Sequence, residues 1–143
     1  MDKLTYRELP SFRVGFLLID GFALMSYSAA VEVLRAANLL AGQTLYDIQH
    51  IPAIGRRSMS SSGAIVEGTV QVGEEFDFDL VLVVAGGDPE NFRNRKVFQW
   101  LRMLSYRNIQ LGGVSGGPVI LAAAGLMAGR RMTAHWEHIA ALV

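Results

Sequence analysis

Two stretches of the chain, residues 14–19 and 79–85, are almost continuously apolar instead of alternating between apolar and polar positions. Such runs are typical of parallel strands that are buried on both faces. Residues 46–53 alternate, which predicts a more peripheral strand suited to a sheet edge. A further short strand is predicted over 109–114, and residues 64–73 are weakly strand-like.

Between these strands the apolar positions recur every three or four residues, which is the period of a helix. The first helix is predicted to begin at Ser26 or Ser28 and to end at Gly42, because glycine commonly stops a helix. The serine-rich polar stretch 56–63 predicts a loop.

The second helix is expected to start with Asp88 as its N-cap and Pro89 at its first position, and to run to about Tyr106. Its inward face carries five apolar residues: Phe92, Val97, Trp100, Leu101 and Leu104. Because this stripe repeats with helical spacing, we expect Trp100 to lie in the core.

The rest of the chain predicts a third helix over 118–125, a turn and short strand over 127–133, and the opening of a helix over 135–143. Strands that alternate with helices through short connections form a parallel sheet covered by helices. The fold class is therefore α/β, a flavodoxin-like three-layer α/β/α sandwich with a mostly parallel sheet. Residues 1–12 are expected to be a flexible leader, and 13–143 a single domain.

Composition limits the chemistry of this domain. The 143 residues contain no cysteine and equal numbers of basic and acidic side chains, 13 of each. A thiol nucleophile, a thiolate metal site and a disulfide are thereby excluded. The balanced charge provides no basic surface for a DNA backbone, and no apolar run approaches the roughly 20 residues that span a bilayer. We expect a cytoplasmic protein that contacts neither DNA nor a membrane by itself.

Three glycine-rich turns follow predicted strands, at Gly21, at Gly86 and over residues 113–117. Ligands of parallel α/β sheets bind at the carboxyl ends of the strands, so we expect the three turns to face one crevice. The third turn has the form G-x-S-x-G, which places Ser115 between a strand and a helix, a context typical of an exposed nucleophile.

Ser115 and His135 allow two interpretations. In one, His135 reaches the crevice and acts as a base toward the Ser115 hydroxyl, which would make the chain a serine-dependent amidase or hydrolase. Against it, only 28 residues follow Ser115, none of them is aspartate, and Glu137 comes after His135. In the other, Ser115 is a small residue on a tight turn and His135 caps a helix.

The three histidines show no recognisable metal-binding pattern. His135 and His138 are three residues apart without an accompanying carboxylate pattern, so neither a metal site nor a cofactor is expected. His50 lies in the alternating strand and is expected to be solvated.

Several segments carry a resemblance that covers the chain from about Arg13 to its end: residues 31–38, 61–63, 83–87, 112–117, 121–126 and 129–137. In this order and spacing, the chain resembles the class I glutamine amidotransferase-like superfamily, and within it the PfpI-like N-terminal domain of AraC-type transcription regulators. The resemblance implies a DNA-binding helix-turn-helix domain that is not present in this chain. It also implies at least one further strand and helix, so we interpret the chain as truncated at its C-terminus.

The resemblance further implies a site that has lost its chemistry. Ser115 occupies the position of the family's cysteine nucleophile, His135 matches the histidine that follows it, and Ser26 stands where the enzymes carry a carboxylate. The backbone N–H groups of Gly87 and Gly116 match the oxyanion-hole positions. Without thiol and carboxylate most of the turnover should be lost, so the resemblance implies a non-catalytic ligand-sensing domain with a vestigial Ser115–His135 pair.

The implied effector is a small nitrogenous metabolite, either arginine-like or a quaternary amine. Trp136 and Phe22 are expected to offer an aromatic face to such a cation. The expected ligand-binding residues are Ser26, Gly86, Gly87, Ser115, Gly116, His135 and Trp136. A homodimer is also implied, with the exposed face of the first helix as one possible contact, and DNA would be bound only through the absent domain. A scaffold that only dimerises, with a vestigial pocket, is the remaining alternative.

Overall fold

The computed structural model describes residues 10–143, in which strands alternate with helices. In chain order the elements are β1 (Phe12–Leu18), α1 (Leu24–Ala41), β2 (Tyr46–Pro52), β3 (Arg57–Met59), β4 (Ile65–Glu67), β5 (Leu80–Ala85), a 3-10 turn (Pro89–Asn91), α2 (Arg95–Tyr106), β6 (Gln110–Ser115), α3 (Gly117–Ala123) and a 3-10 helix (Trp136–Leu142). Most of the predicted leader, residues 1–12, lies outside the described range, and Phe12 already belongs to β1.

The central sheet consists of four parallel strands in the order β2-β1-β5-β6. Its two inner strands are those with continuous apolar runs, and the alternating strand β2 lies at an edge as predicted. Leu17 and Val83 point to one face of the sheet and pack with α2 and α3, whereas Phe16 and Leu18 point to the other face and pack with α1. Helices thus cover both faces, which confirms the three-layer α/β sandwich.

The first helix has the predicted end but an earlier start. It begins at Leu24, with Ala23 as an N-cap that makes no side-chain hydrogen bond, so the serines expected at its start lie inside it. Gly42 adopts a φ of 64° and its N–H donates to the carbonyl oxygen of Leu39, a left-handed cap that glycine adopts easily.

The predicted start of the second helix is wrong. Asp88 makes no capping hydrogen bond and leads only into the 3-10 turn, after which Phe92 is extended and interrupts the helix. The cap of α2 is Asn94, whose side-chain oxygen accepts a hydrogen bond from the Val97 N–H at 3.0 Å. Four members of the predicted apolar stripe are buried on α2, namely Val97, Trp100, Leu101 and Leu104, but Phe92 precedes the helix and does not belong to the stripe.

Part of the predicted serine-rich loop is a strand. Within residues 56–63, strand β3 pairs antiparallel with β4 and forms a separate two-stranded ribbon. Ser58 is buried, and its hydroxyl donates to the carbonyl oxygen of Leu18 at 2.7 Å. A buried hydroxyl with a partner costs little, which explains how so polar a segment packs against the sheet.

The strand predicted over residues 127–133 is absent from the described chain. This segment forms a turn, and Leu126 and Met127 pack against the core cluster beneath α2 and α3 instead of joining the sheet. The helix expected from 135 is a seven-residue 3-10 helix, for which His135 is the N-cap. Within residues 10–143, no helix is both long enough and apolar enough to cross a membrane.

Candidate functional site

The three glycine-rich turns lie together at the carboxyl ends of β1, β5 and β6, as predicted. At Gly86, a Cβ atom would lie 2.9 Å from the Gly21 carbonyl oxygen and 3.0 Å from the Ala23 nitrogen, so the turns after β1 and β5 touch. The turn after β6 joins them because the Gly116 N–H donates to the Ala85 carbonyl oxygen at 2.9 Å. A side chain at Gly86 or Gly116 would push these turns apart.

Ser115 occupies a strained position on the third turn. Its φ is 57°, in the left-handed region that costs a residue with a side chain about 1–2 kcal/mol. The surrounding packing holds it there: Ser115 pairs with Ala85 in the sheet, and a Cβ atom at Gly117 would lie 1.9 Å from the Val83 carbonyl oxygen. Strained residues fixed in this way cluster at functional sites.

His135 contacts the Ser115 turn through its backbone. The His135 N–H donates to the Ser115 carbonyl oxygen at 3.1 Å. The His135 Nδ1 also accepts a hydrogen bond from the Glu137 N–H at 3.4 Å and lies 3.5 Å from the Glu137 Oε2 atom. His135 therefore caps the last helix, as one of the two interpretations expected, and its backbone contacts the Ser115 turn.

The two aromatic residues predicted to face a ligand, Trp136 and Phe22, do not both lie at the surface. Trp136 is 74% exposed, and its ring lies tilted 35° to that of His135, with the ring centroids 5.7 Å apart. Phe22 is fully buried and packs edge-on against Tyr27, so the prediction that it offers a face to a ligand is wrong. A cation at this surface would meet Trp136 alone.

The other predicted site residues surround the turns without all being open to a ligand. Ser26 lies half-buried in the first turn of α1, three residues after the contact that Ala23 makes with Gly86. Gly87 has a φ of 62° at the end of β5. The Gly116 N–H is already bonded to the Ala85 carbonyl, so in this conformation it does not supply the anion donor that the resemblance implied.

One hollow borders this region of the fold, and a second lies at the opposite end of the sheet. One of about 470 Å³ lies at the start of α1 and is lined by Ala23, Leu24, Met25, Ser28, Ser61 and Ser62. The segment 60–62 reaches it because the Ser61 N–H donates to the Phe22 carbonyl oxygen at 2.9 Å. The other, of about 650 Å³, lies near the starts of β5 and β6 and includes Arg130 and Arg131. The serine-rich segment was predicted only as a loop, because its contact with the first turn depends on the folded ribbon.

Beneath the first turn, Tyr27 and His50 form a half-buried polar pair. The Tyr27 hydroxyl lies 2.7 Å from the His50 Nδ1 atom, so the prediction of a solvated His50 is wrong. Burial raises the pKa of Tyr27 to about 12 and lowers the pKa of His50. Both groups are therefore neutral at pH 7 and link α1 to β2 without adding charge near the crevice.

Comparison with known proteins agrees with this architecture. The model of the DJ-1/PfpI family matches residues 12–143. The HTH-type transcriptional regulator GlxA of Rhizobium meliloti (strain 1021) is 47% identical over 131 residues, which cover 91% of this chain and 40% of that protein. The HTH-type transcriptional regulator CdhR of Pseudomonas aeruginosa is 40% identical over 124 residues, covering 87% and 37%. A crystal structure of an AraC family transcriptional regulator from Pseudomonas putida superposes with a TM-score of 0.76 at 25% identity, over 92% of this chain and 70% of that one.

The fold and its strand-to-helix turn define a three-layer α/β domain with a parallel central sheet. The chain belongs to the DJ-1/PfpI family. It spans about two fifths of the length of the curated relatives GlxA and CdhR. Because these relatives are named as transcriptional regulators, the resemblance to the PfpI-like domain of AraC-type regulators is confirmed.

Proposed function

We propose that this chain is the non-catalytic ligand-sensing domain of an AraC-type transcriptional regulator, with a small nitrogenous metabolite bound beside Ser115. Ser115 carries the proposal: its strained turn is kept, with a φ of 57°, but it presents a hydroxyl where an enzyme of this fold would need a thiol. A hydroxyl is a much weaker nucleophile and requires an oriented base. A turn that keeps its shape without its nucleophile is suited to binding and poorly suited to turnover.

The accessible groups favour a cationic or zwitterionic ligand. Trp136 exposes its indole ring, which attracts cations, and the Glu137 carboxylate is also exposed. Arginine, choline, glycine betaine and carnitine are the compounds to test first. DNA contact would come from a helix-turn-helix domain outside this chain, and a cytoplasmic location is part of the same proposal.

The proposal can be tested with the chain's own fluorescence, because it contains only two tryptophans. Trp100 is buried in the core and Trp136 is exposed near the crevice. We expect one of the four compounds to change the emission of the Trp100→Phe variant, in which Trp136 remains. The same compound should leave the emission of Trp136→Phe unchanged. A response carried by Trp100 alone would place the ligand elsewhere and contradict the proposed site.

The proposal includes a homodimer formed through α1. Met25, Val33 and Leu40 lie on one stripe of this helix and are 82%, 68% and 87% exposed. Apolar stripes of this kind on a helix surface are often interaction surfaces. Sedimentation velocity should show a dimer for the protein and a monomer for Val33→Glu, whereas an unchanged dimer would place the contact on another surface.

One observation favours a second candidate, a serine-dependent hydrolase. In the tautomer that carries its proton on Nδ1, the 3.5 Å contact with the Glu137 Oε2 would orient His135 as a base, in the role that an acid plays in a catalytic triad, and the hydrogen bond from the Glu137 N–H would be given up. A burst of product from an activated ester, abolished in Ser115→Ala, would support this candidate. The sensing proposal predicts no burst.

A further inference from the structure

Three metal-ligating side chains converge at the start of the last 3-10 helix. The ligand atoms of His135, Glu137 and His138 all lie within 4.8 Å of one another. No other group of three or more such residues comes together in this way between residues 10 and 143. Two imidazoles and one carboxylate form a donor set that binds divalent transition metals.

The local backbone explains why the two histidines meet. A 3-10 helix has three residues per turn, so side chains three positions apart lie on the same face. The His138 N–H donates to the His135 carbonyl oxygen at 2.9 Å, and the two imidazole centroids are 5.9 Å apart. Glu137 joins them through the N-cap, because its N–H donates to the His135 Nδ1 atom, a contact that the spacing of the two histidines does not reveal.

The cluster is partly fixed before any ion binds. His138 is 6% exposed and so has a restricted side chain, while the His135 backbone is tied to the Ser115 carbonyl. The side chains of His135 and Glu137 are 41% and 58% exposed, which leaves an approach from solvent. The constrained His138 side chain reduces the conformational entropy that is lost on coordination. The two exposed side chains let an ion reach the site.

The pair formed by His135 and Glu137 favours a cation between its members. The Nδ1 atom accepts a long, 3.4 Å hydrogen bond from the Glu137 N–H, which an ion bound at Nδ1 would replace, and it lies 3.5 Å from a carboxylate oxygen. Two electron-rich atoms at that distance repel unless a proton or a cation lies between them. Bonds of about 2.0–2.1 Å to a tetrahedral zinc ion place its ligand atoms roughly 3.3 Å apart, so this pair already has nearly the required separation.

We propose that His135, Glu137 and His138 form a binding site for one divalent transition metal ion of the zinc class. The absence of thiolate and the presence of two imidazoles favour Zn²⁺ and Co²⁺ over Mg²⁺ and Ca²⁺, which prefer oxygen ligands. Three protein ligands leave a fourth position for water or for a donor atom of a second ligand. The site adjoins the crevice through the His135–Ser115 backbone contact.

Titration of the chelator-treated protein with Co²⁺ tests this proposal, because tetrahedral Co²⁺ absorbs visible light and Zn²⁺ should displace it. We expect one equivalent to bind. Glu137→Gln and His138→Gln should each weaken binding by at least about tenfold, since even the loss of an outer-shell partner costs 10–100-fold in metal affinity. Glu75→Gln, which changes an exposed carboxylate in the segment before β5, is the matched control and should bind as the unchanged protein does.

Two results would overturn the site: no Zn²⁺-displaceable Co²⁺ spectrum, or equal affinity in Glu137→Gln and Glu75→Gln. Circular dichroism of each variant shows whether it is folded, and Glu137→Gln alters an exposed side chain that is not needed for packing. Effector titrations are performed in the presence of chelator, so that no metal ion is bound. Effector binding under these conditions supports the sensing proposal whether or not the metal site exists, which keeps the two proposals separate.

Discussion

The backbone N–H of His135 donates a hydrogen bond to the carbonyl oxygen of Ser115 across 3.1 Å. It joins the start of the last helix to the strained turn after β6, two points that are 20 residues apart in the chain. Both groups belong to the backbone, so the contact does not depend on the chemistry of either side chain. A domain of this fold can therefore keep the shape of its crevice after the nucleophile has been replaced, as the proposed sensing role requires.

Strain at Ser115 predicts an unusual order of stability between two small residues. Ser115→Gly should be more stable than Ser115→Ala by about 1 kcal/mol, because glycine adopts a positive φ without the steric cost that alanine incurs. Urea denaturation of both variants measures the difference.

A matched pair at Ser105, inside α2, supplies the control. There the order should reverse, with glycine less stable than alanine by about 1 kcal/mol, the ordinary helix preference. If alanine were the more stable residue at both positions, position 115 would not be strained.

Gly117 is predicted to tolerate no side chain. In Gly117→Ala the new Cβ atom would lie 1.9 Å from the Val83 carbonyl oxygen, so α3 must move away from β5. We expect a loss of about 3 kcal/mol in the free energy of unfolding, at the upper end of the usual cost of overpacking.

Gly42→Ala separates this clash from backbone strain. Gly42 has a φ of 64°, and a Cβ atom added there would meet nothing within 4 Å, so its replacement should cost only about 1 kcal/mol. Equal losses at the two glycines, measured by thermal or urea unfolding, would show that the close approach to Val83 is not a constraint.

The helix cap at Asn94 predicts unequal effects at two polar residues. Asn94→Ala removes the acceptor for the Val97 N–H and should cost about 1 kcal/mol. Asp88→Ala should change stability by less than about 0.5 kcal/mol, since Asp88 makes no capping bond. The reverse order in urea denaturation would mean that α2 starts at Asp88 after all.

The Tyr27–His50 pair predicts a loss of stability in acid. Burial lowers the pKa of His50 below its ordinary value of 6.5, so as the pH falls the unfolded chain takes up this proton before the folded protein does. The free energy of unfolding should therefore decrease as the pH is lowered through 6.5 and should level off once the folded pKa has been passed. In the tautomer in which the Nδ1 atom accepts a hydrogen bond from the Tyr27 hydroxyl, protonation also removes that acceptor.

The same measurement on His50→Gln isolates this group from the other two histidines. The decrease between neutral and mildly acidic pH should be smaller in the variant than in the unchanged protein. Identical pH profiles would show that His50 is solvated, as its position in an alternating strand had suggested.

The parallel sheet and its layers could be predicted because local patterns determine them. A run such as β5 is apolar at every position because both of its faces are covered, and that property is visible in the sequence. The end of α1 was equally clear, since Gly42 adopts a conformation that other residues avoid. These features depend on residues that are close together in the chain.

The errors concern features that depend on distant contacts. Ser58 can be buried because its hydroxyl donates a hydrogen bond to the carbonyl oxygen of Leu18, 40 residues earlier in the chain. A contact between such distant residues is not visible in the local sequence pattern. Phe22 follows a turn and looked exposed, yet it packs on Tyr27 inside the core. Residues 127–133 were expected to include a short strand, but they form a turn that stays out of the sheet, and Met127 packs against the core cluster. Glu137 joins the two histidines at the start of the last helix, where its N–H donates to the Nδ1 atom of the N-cap His135, and residue spacing alone does not show this contact.

Isothermal calorimetry with arginine, choline, glycine betaine and carnitine shows whether this domain binds a ligand without converting it to a product. We predict that one of the four compounds releases or absorbs heat until one equivalent per chain has been added. The signal should return to baseline after each injection. We also predict that Trp136→Ala weakens this binding. Heat that continues after each injection would indicate turnover of the compound. No heat of binding with any of the four compounds would contradict the proposed class of effector.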